Sequence, residues 1–184
     1  MVLRFNERRA TEAAAKLLKL RGGRMSYLKL IKLLHLLDRE ALLRWGRPVT
    51  TDRYVSMDNG PVVSRIYDLI REEPAPGTDP NWRHYISPPS NYEVTLTAEP
   101  VTDELSPVEG SLIEEIFEKY GKMSRWDLVD LSHGLAEWQE PQGSAIPVEC
   151  RDILRAGKKS QSEIAAIEAE LEALAAAEAM LQPA

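Results

Sequence analysis

The feature that most constrains this chain is the stretch 26–46, which is dominated by apolar side chains and long enough for roughly five helical turns. Ser26 stands at a cap position, Leu30, Leu33, Leu34, Leu37, Leu42 and Trp45 recur at helical spacing, and Gly46 with Pro48 beyond it supplies the stop. Met25 is placed to staple against Leu30. Leu28, Ile31, Leu36 and Ala41 widen the apolar arc past a single stripe, and so wide an arc needs cover on several sides. The chain is expected to fold around this helix.

The flanking segments supply the cover. Asn6 can cap a helix over Glu7–Leu20, with Ala13, Leu17, Leu18 and Leu20 as its stripe and Gly22 and Gly23 as its end. Residues 53–57 alternate in part and run into Asp58-Asn59-Gly60, so a short strand and a turn are expected. Pro61 then suits a first helical turn, with Val62, Ile66, Leu69 and Ile70 as the inner face of a helix fading near Glu73. Pro74, Pro76, Gly77 and Pro80 mark a loop, and residues 82–86 and 92–97 alternate around Pro88-Pro89-Ser90-Asn91 as a β-hairpin would. Ser106-Pro107-Val108-Glu109 is a capping box opening a helix through Leu112, Ile113, Ile116 and Tyr120 to Gly121. Ser124 and Asp127 repeat the pattern for a helix with Trp126, Leu128, Val129 and Leu131, ending near Gly134 or Trp138. Pro141, Gly143 and Pro147 make the next break.

From Ser162 the composition turns to alanine and glutamate, with Ile164, Ile167, Leu171, Leu174 and Leu181 on heptad a and d positions and Glu178 interrupting the seam. An amphipathic helix is expected, lying on its own domain, on a second copy or on a partner. The expected fold class is therefore mainly α, an α+β arrangement: a compact helical domain with a small β-hairpin or sheet over 1–157, then an amphipathic helix over 158–184.

Composition narrows the function classes. A chain of 184 residues buries roughly 70% of the surface its unfolded form exposes, and 43% hydrophobic with 28% charged residues is the balance of an ordinary globular protein. No apolar run approaches the roughly 18 residues of a membrane span, and residues 1–9 lack the apolar stretch of a secretory signal, so a cytoplasmic location is expected. Cys150 is the only cysteine, which excludes an internal disulfide and a cysteine zinc cluster. The net charge of −6 hides an asymmetry, with 13 Lys and Arg against 5 Asp and Glu in residues 1–53. Most of the surface should repel duplex DNA, while one basic face could steer toward an acidic partner.

Candidate chemistry is sparse. His35 and Asp38, three apart on the central helix, could face each other as a base and its orienting carboxylate, which would make a small hydrolase. A core or boundary histidine explains His35 better, because it sits inside a leucine-rich helix with no Ser or Cys near in sequence. His84 and His133 share no ligand spacing with it, so no metal is expected. Arg21-Gly22-Gly23-Arg24 has too few glycines for a phosphate loop and reads as a helix stop, so no cofactor is expected. The tight turn invites a helix-turn-helix with Tyr27, Lys29 and Lys32 reaching DNA, as in an autorepressor, but the following helix is too apolar to read a groove. Trp82, Trp126 and Trp138 are assigned to the core in preference to an interface.

Leu30-Ile31-Lys32-Leu33-Leu34-His35-Leu36-Leu37-Asp38-Arg39-Glu40, followed by Trp45-Gly46-Arg47-Pro48-Val49-Thr50, is similar to the signature of the Panacea domain of SocA-like antitoxins. The similarity continues through Asp52-Arg53-Tyr54-Val55-Ser56-Met57 and residues 59–68, and more weakly through Leu131-Ser132-His133 and Trp138, covering about residues 6–155. The resemblance implies a mostly helical core with a small β element, no catalytic residues, and neutralisation of a cognate protein toxin by direct binding, with the chain also acting as a chaperone or as an adaptor that hands the toxin to a protease, so that a protease or chaperone is a further partner. A second copy of the chain is a further candidate partner. The signature's Leu and Ile positions are explained by a core, but its Arg and Tyr positions are not, and those types anchor interfaces. The expected partner contacts are Arg39, Arg47, Asp52, Arg53, Tyr54, Asn59, Arg65 and Tyr67, joined by Leu171 and Leu174 of the last helix.

Overall fold

The computed structural model describes residues 3–72, 77–100 and 103–181. Helix α1 (Glu7–Leu20) starts as expected, with the Asn6 side chain accepting from Arg9 N. It ends where Gly22 and Gly23 adopt φ of 94° and 93°, values that suit glycine. Strand β1 (Arg24–Ser26) follows, then helix α2 (Tyr27–Trp45), of whose 19 residues the stretch from Lys29 to Asp38 is buried without a break. Gly46 ends α2 in the left-handed conformation, φ 72°, and a Cβ there would stand 3.2 Å from Ile167 Cγ1. Both the backbone and the close approach therefore call for glycine.

Strands β2 (Tyr54–Met57) and β3 (Gly60–Val63) form an antiparallel hairpin closed by Asp58-Asn59. Pro61 lies in β3 opposite Ser56 and does not open a helix. An edge strand tolerates the missing N–H, and helix α3 (Ser64–Arg71) begins only afterwards. The expected fading near Glu73 and the loop prolines Pro74 and Pro76 lie outside the described residues.

A second correction concerns the hairpin expected over 82–97. Asn81–Tyr85 is a short helix, α4, and Trp82 buries its ring completely while its backbone N–H donates to Glu7 Oε1 at the head of α1. Strand β4 (Glu93–Thr95) pairs with β1, Met25 opposite Val94, so the segment read as a simple turn after Gly23 carries sheet. What remains of the expected hairpin is the bridge Ile86↔Leu96 and the tight turn joining Ser90 and Glu93.

Helices α5 (Pro107–Tyr120) and α6 (Arg125–His133) both carry the capping boxes read from Ser106/Glu109 and Ser124/Asp127. Strand β5 (Ile146–Val148) then joins the far side of β2 and gives the order β3-β2-β5. Helix α7 (Cys150–Ala156) and helix α8 (Gln161–Met180) complete the described chain. α1, α3, α5, α6, α7 and β3 all pack on α2. The fold is mainly α with a small β part, as the resemblance implied. Among the described residues, no helix is long and apolar enough to cross a membrane.

The seam of α8 is largely spent on this same body. Ile164 and Leu171 join the common hydrophobic cluster, Ile167 covers Gly46, and Arg151 pairs with Glu168 at 2.8 Å.

Candidate partner-binding surface

Beneath the signature lies a buried polar brace, and it accounts for many of the charged residues that the central helix carries. Asp38 Oδ1 accepts from Val49 N at 2.9 Å and Thr50 N at 2.8 Å, while Oδ2 accepts from the Thr50 and Tyr54 hydroxyls. Burial pushes the Asp38 carboxyl up to about 6 despite these donors. Asp52 is buried too and takes three backbone N–H groups, from Arg53, Arg65 and Ile66, so it caps α3 from a distance. Lys32 is fully buried with Nζ donating to Pro61 O at 2.7 Å, and burial lowers its pKa to about 7. Lys29 Nζ is held by the carbonyls of Gly121 and Met123. Neither lysine presents its ammonium to DNA, which removes the helix-turn-helix geometry weighed from the sequence.

The His35 and Asp38 side chains form no hydrogen bond with each other. All Asp38 donors come from the 49–54 segment, and both His35 nitrogens are buried without a partner among the described residues. His35 meets the Tyr54 ring edge-on at 5.6 Å, and its Nε2 stands 4.0 Å from Glu137 Oε1. Burial first, then the charges of Lys32 and Arg39, push His35 down to about 3, so it is neutral. Among the described residues, no three His, Cys, Asp or Glu side chains converge as metal ligands would.

The expected contact residues fall into buried, half-buried and exposed groups. Asp52, Tyr54 and Leu171 are buried, because the first two belong to the brace and the third faces the core. Arg39 is half-buried and gives its Nε to Glu137. Arg47, Arg53, Asn59 and Arg65 are exposed, Tyr67 and Leu174 half-exposed. Arg47 stands apart, 3.8 Å from Glu109. Asp52 brings the backbones of 53 and 65 together.

Asn59 and Tyr67 meet in a cleft of about 490 Å³ between the start of α2, the β2–β3 turn, α3 and the start of α6. The turn that forms one wall is anchored from behind: Trp138 Nε1 donates to Met57 O, His133 Nε2 lies 2.9 Å from Asp58 O, and Gly143 N donates to Asp58 Oδ1. The sequence reading missed the cleft's most exposed rings, Tyr92 at 68% and Trp126 at 54%. Trp126 had been assigned to the core, yet it sits on the first turn of α6 where Leu128 and Val129 take the buried side. Arg125 lies over both rings, 5.9 Å from Tyr92 and 5.1 Å from Trp126. The adjacency of Arg125 and Trp126 was the available signal.

The helical body thus braces its signature internally and leaves a ring-lined cleft open. The chain belongs to the antitoxin SocA-like, Panacea domain family, whose family model matches residues 30–139. No curated protein and no solved structure matches the chain.

Proposed function

We propose that this chain neutralises a cognate protein toxin by binding it directly, as one half of a toxin-antitoxin pair. The observation that carries the reading is the cleft lined mostly by the matched region, where tyrosine, tryptophan and arginine are gathered over a braced turn. These residue types dominate the energetics of protein interfaces because they combine large contact area with a polar handle. Arg53 and Arg65 extend the surface along the start of β2 and α3, and Asp52 and Tyr54 support it from below. The half-exposed Leu174 of α8 adds a separate contact of its own.

The test is co-expression with the product of the adjacent reading frame. That product alone should arrest growth, the pair should grow normally, and the two chains should co-purify. Harmlessness of the neighbour, or protection without any complex, would overturn direct neutralisation.

A further inference from the structure

A second cleft, of about 630 Å³, opens beside the ring-lined one, and Ser26 and Arg125 line both. Its border carries Arg21, Arg24, Lys29, Lys122 and Arg125, with Glu93 as its one carboxylate. Glu93 is already taken by Arg24, and Lys29 by two carbonyls. Among the described residues, Arg21 and Lys122 have no ion-pair partner, and Arg125 is engaged only with aromatic faces. The charge of Arg21 adds to burial in depressing the Lys29 pKa, a sign that positive potential accumulates here. On a chain of net charge −6, a local surplus of cations beside an apolar cleft calls for a negatively charged occupant.

Two backbone features point the same way. Tyr92 is held at φ 62°, a left-handed conformation unfavourable for a bulky side chain. Its carbonyl accepts from Tyr27 N at 3.0 Å, which ties the backbone beneath this exposed ring to the start of α2 at the edge of the ring-lined cleft. Helix α2 also starts there with no acidic residue in its first turn and no side-chain bond from Ser26, so no side chain of its own cap or first turn offsets its positive end.

We infer that the paired clefts dock an acidic segment of the partner polypeptide, its carboxylates over Arg21, Lys122 and Arg125 and a leucine or aromatic side chain among Tyr27, Tyr67 and Trp126. This deepens, and rests on, the reading of the chain as a direct binder of a protein toxin. A nucleic acid fits less well. Leu28, Ile31, Met57 and Val62 line the first cleft, which suits a hydrocarbon side chain better than a sugar-phosphate, and the acidic remainder of the surface repels a polyanion.

The experiment uses the full chain and labelled peptides of about a dozen residues, read by fluorescence polarisation at about 50 and 300 mM salt. The probes are an Asp/Glu-rich peptide with one Leu and one Phe, its Asn/Gln and Lys counterparts, the acidic peptide without apolar residues, and an oligothymidylate of similar length. The acidic peptide with Leu and Phe should bind best, and weaken at least about tenfold in the higher salt and in Arg125→Glu or Lys122→Glu. Trp126→Ala should weaken it similarly without changing the salt response. Equal binding of the neutral or basic peptide, or tighter binding of oligothymidylate with the same dependence on Arg125, overturns the inference. The same variants in the co-expression assay separate the two readings. Full protection by the charge-reversed chains would leave direct neutralisation standing and refute this surface. If wild type fails to protect while the peptide preference holds, the acidic-segment surface stands and the toxin reading falls.

Discussion

Arg39 Nε donates to Glu137 Oε1 across 2.6 Å, joining the middle of α2 to the turn after α6 from 98 residues away. The Glu137 side chain is fully enclosed, whereas that of Arg39 keeps 20% of its surface in solvent. Glu137→Leu should therefore cost about 2 kcal/mol, less than the roughly 3–5 kcal/mol of breaking a wholly buried pair. Adding Arg39→Met should recover most of that loss. Urea midpoints of the four proteins check this, and an unchanged midpoint for Glu137→Leu would show that the pair stabilises nothing.

Gly60 should be irreplaceable. Its φ is 90°, and an added Cβ would lie 2.2 Å from Ser132 Oγ and 2.8 Å from Lys32 Nζ. Gly60→Ala is expected to cost about 2–4 kcal/mol, combining strain in a left-handed position with overpacking. Ser132→Gly in the same chain should relieve only the overlap with Ser132, leaving the approach to Lys32 Nζ and the backbone strain. Thermal unfolding that leaves Gly60→Ala within a degree of wild type would refute the close approach.

His35 should make the protein acid-sensitive. Its folded pKa, about 3, lies below the ordinary 6.5, so its contribution is full above pH 6.5 and declines as pH falls toward 3. Between pH 7 and pH 5 wild type should lose about 2 kcal/mol relative to His35→Leu. Asp38 and Asp52, both raised to about 6, act in the opposite direction in both proteins and cancel in the difference. Parallel denaturant titrations at the two pH values decide it. A constant gap between the proteins would mean that His35 is not held neutral.

The two leucines proposed from the heptad seam should behave differently. Leu171 keeps 8% of its surface and belongs to the core cluster, so Leu171→Asp should cost about 2–4 kcal/mol by burying an unpaired charge. Leu174→Asp should cost less than about 1 kcal/mol and act on toxin neutralisation instead. Melting temperatures and co-expression of each variant would separate stability from recognition. Equal destabilisation by both would show that the whole seam is internal.

The parts legible in the sequence were those set by local chemistry. Asn6, Gly46, Ser106 and Ser124 mark helix ends through caps that involve residues within one turn. The helix Asn81–Tyr85 and the strand Ile146–Val148 escaped notice because each is short, next to prolines, and stabilised by distant partners: Glu7 for the first, Tyr54–Ser56 for the second. The cleft was legible only in fragments. Asn59 and Tyr67 were named, but Tyr92 and Trp126 reach the same place from other parts of the chain, and no periodicity announces such a meeting. Periodicity also could not tell that Asp52 and Tyr54 turn inward while Arg53 between them stays exposed, since the brace that draws them in depends on α2 and α3.

Asp52 grips the main chain at positions 53, 65 and 66 without touching what those residues display. The main chain at 53, 65 and 66 is thus held by an enclosed carboxylate, and the exposed arginines at 53 and 65 hang outward from it. Such a division lets the outward side chains be exchanged singly, each substitution tried on an unaltered frame. Variation at 53 and 65 should accordingly be broad wherever an aspartate holds position 52, and comparing substitution tolerance at the three sites would reveal it.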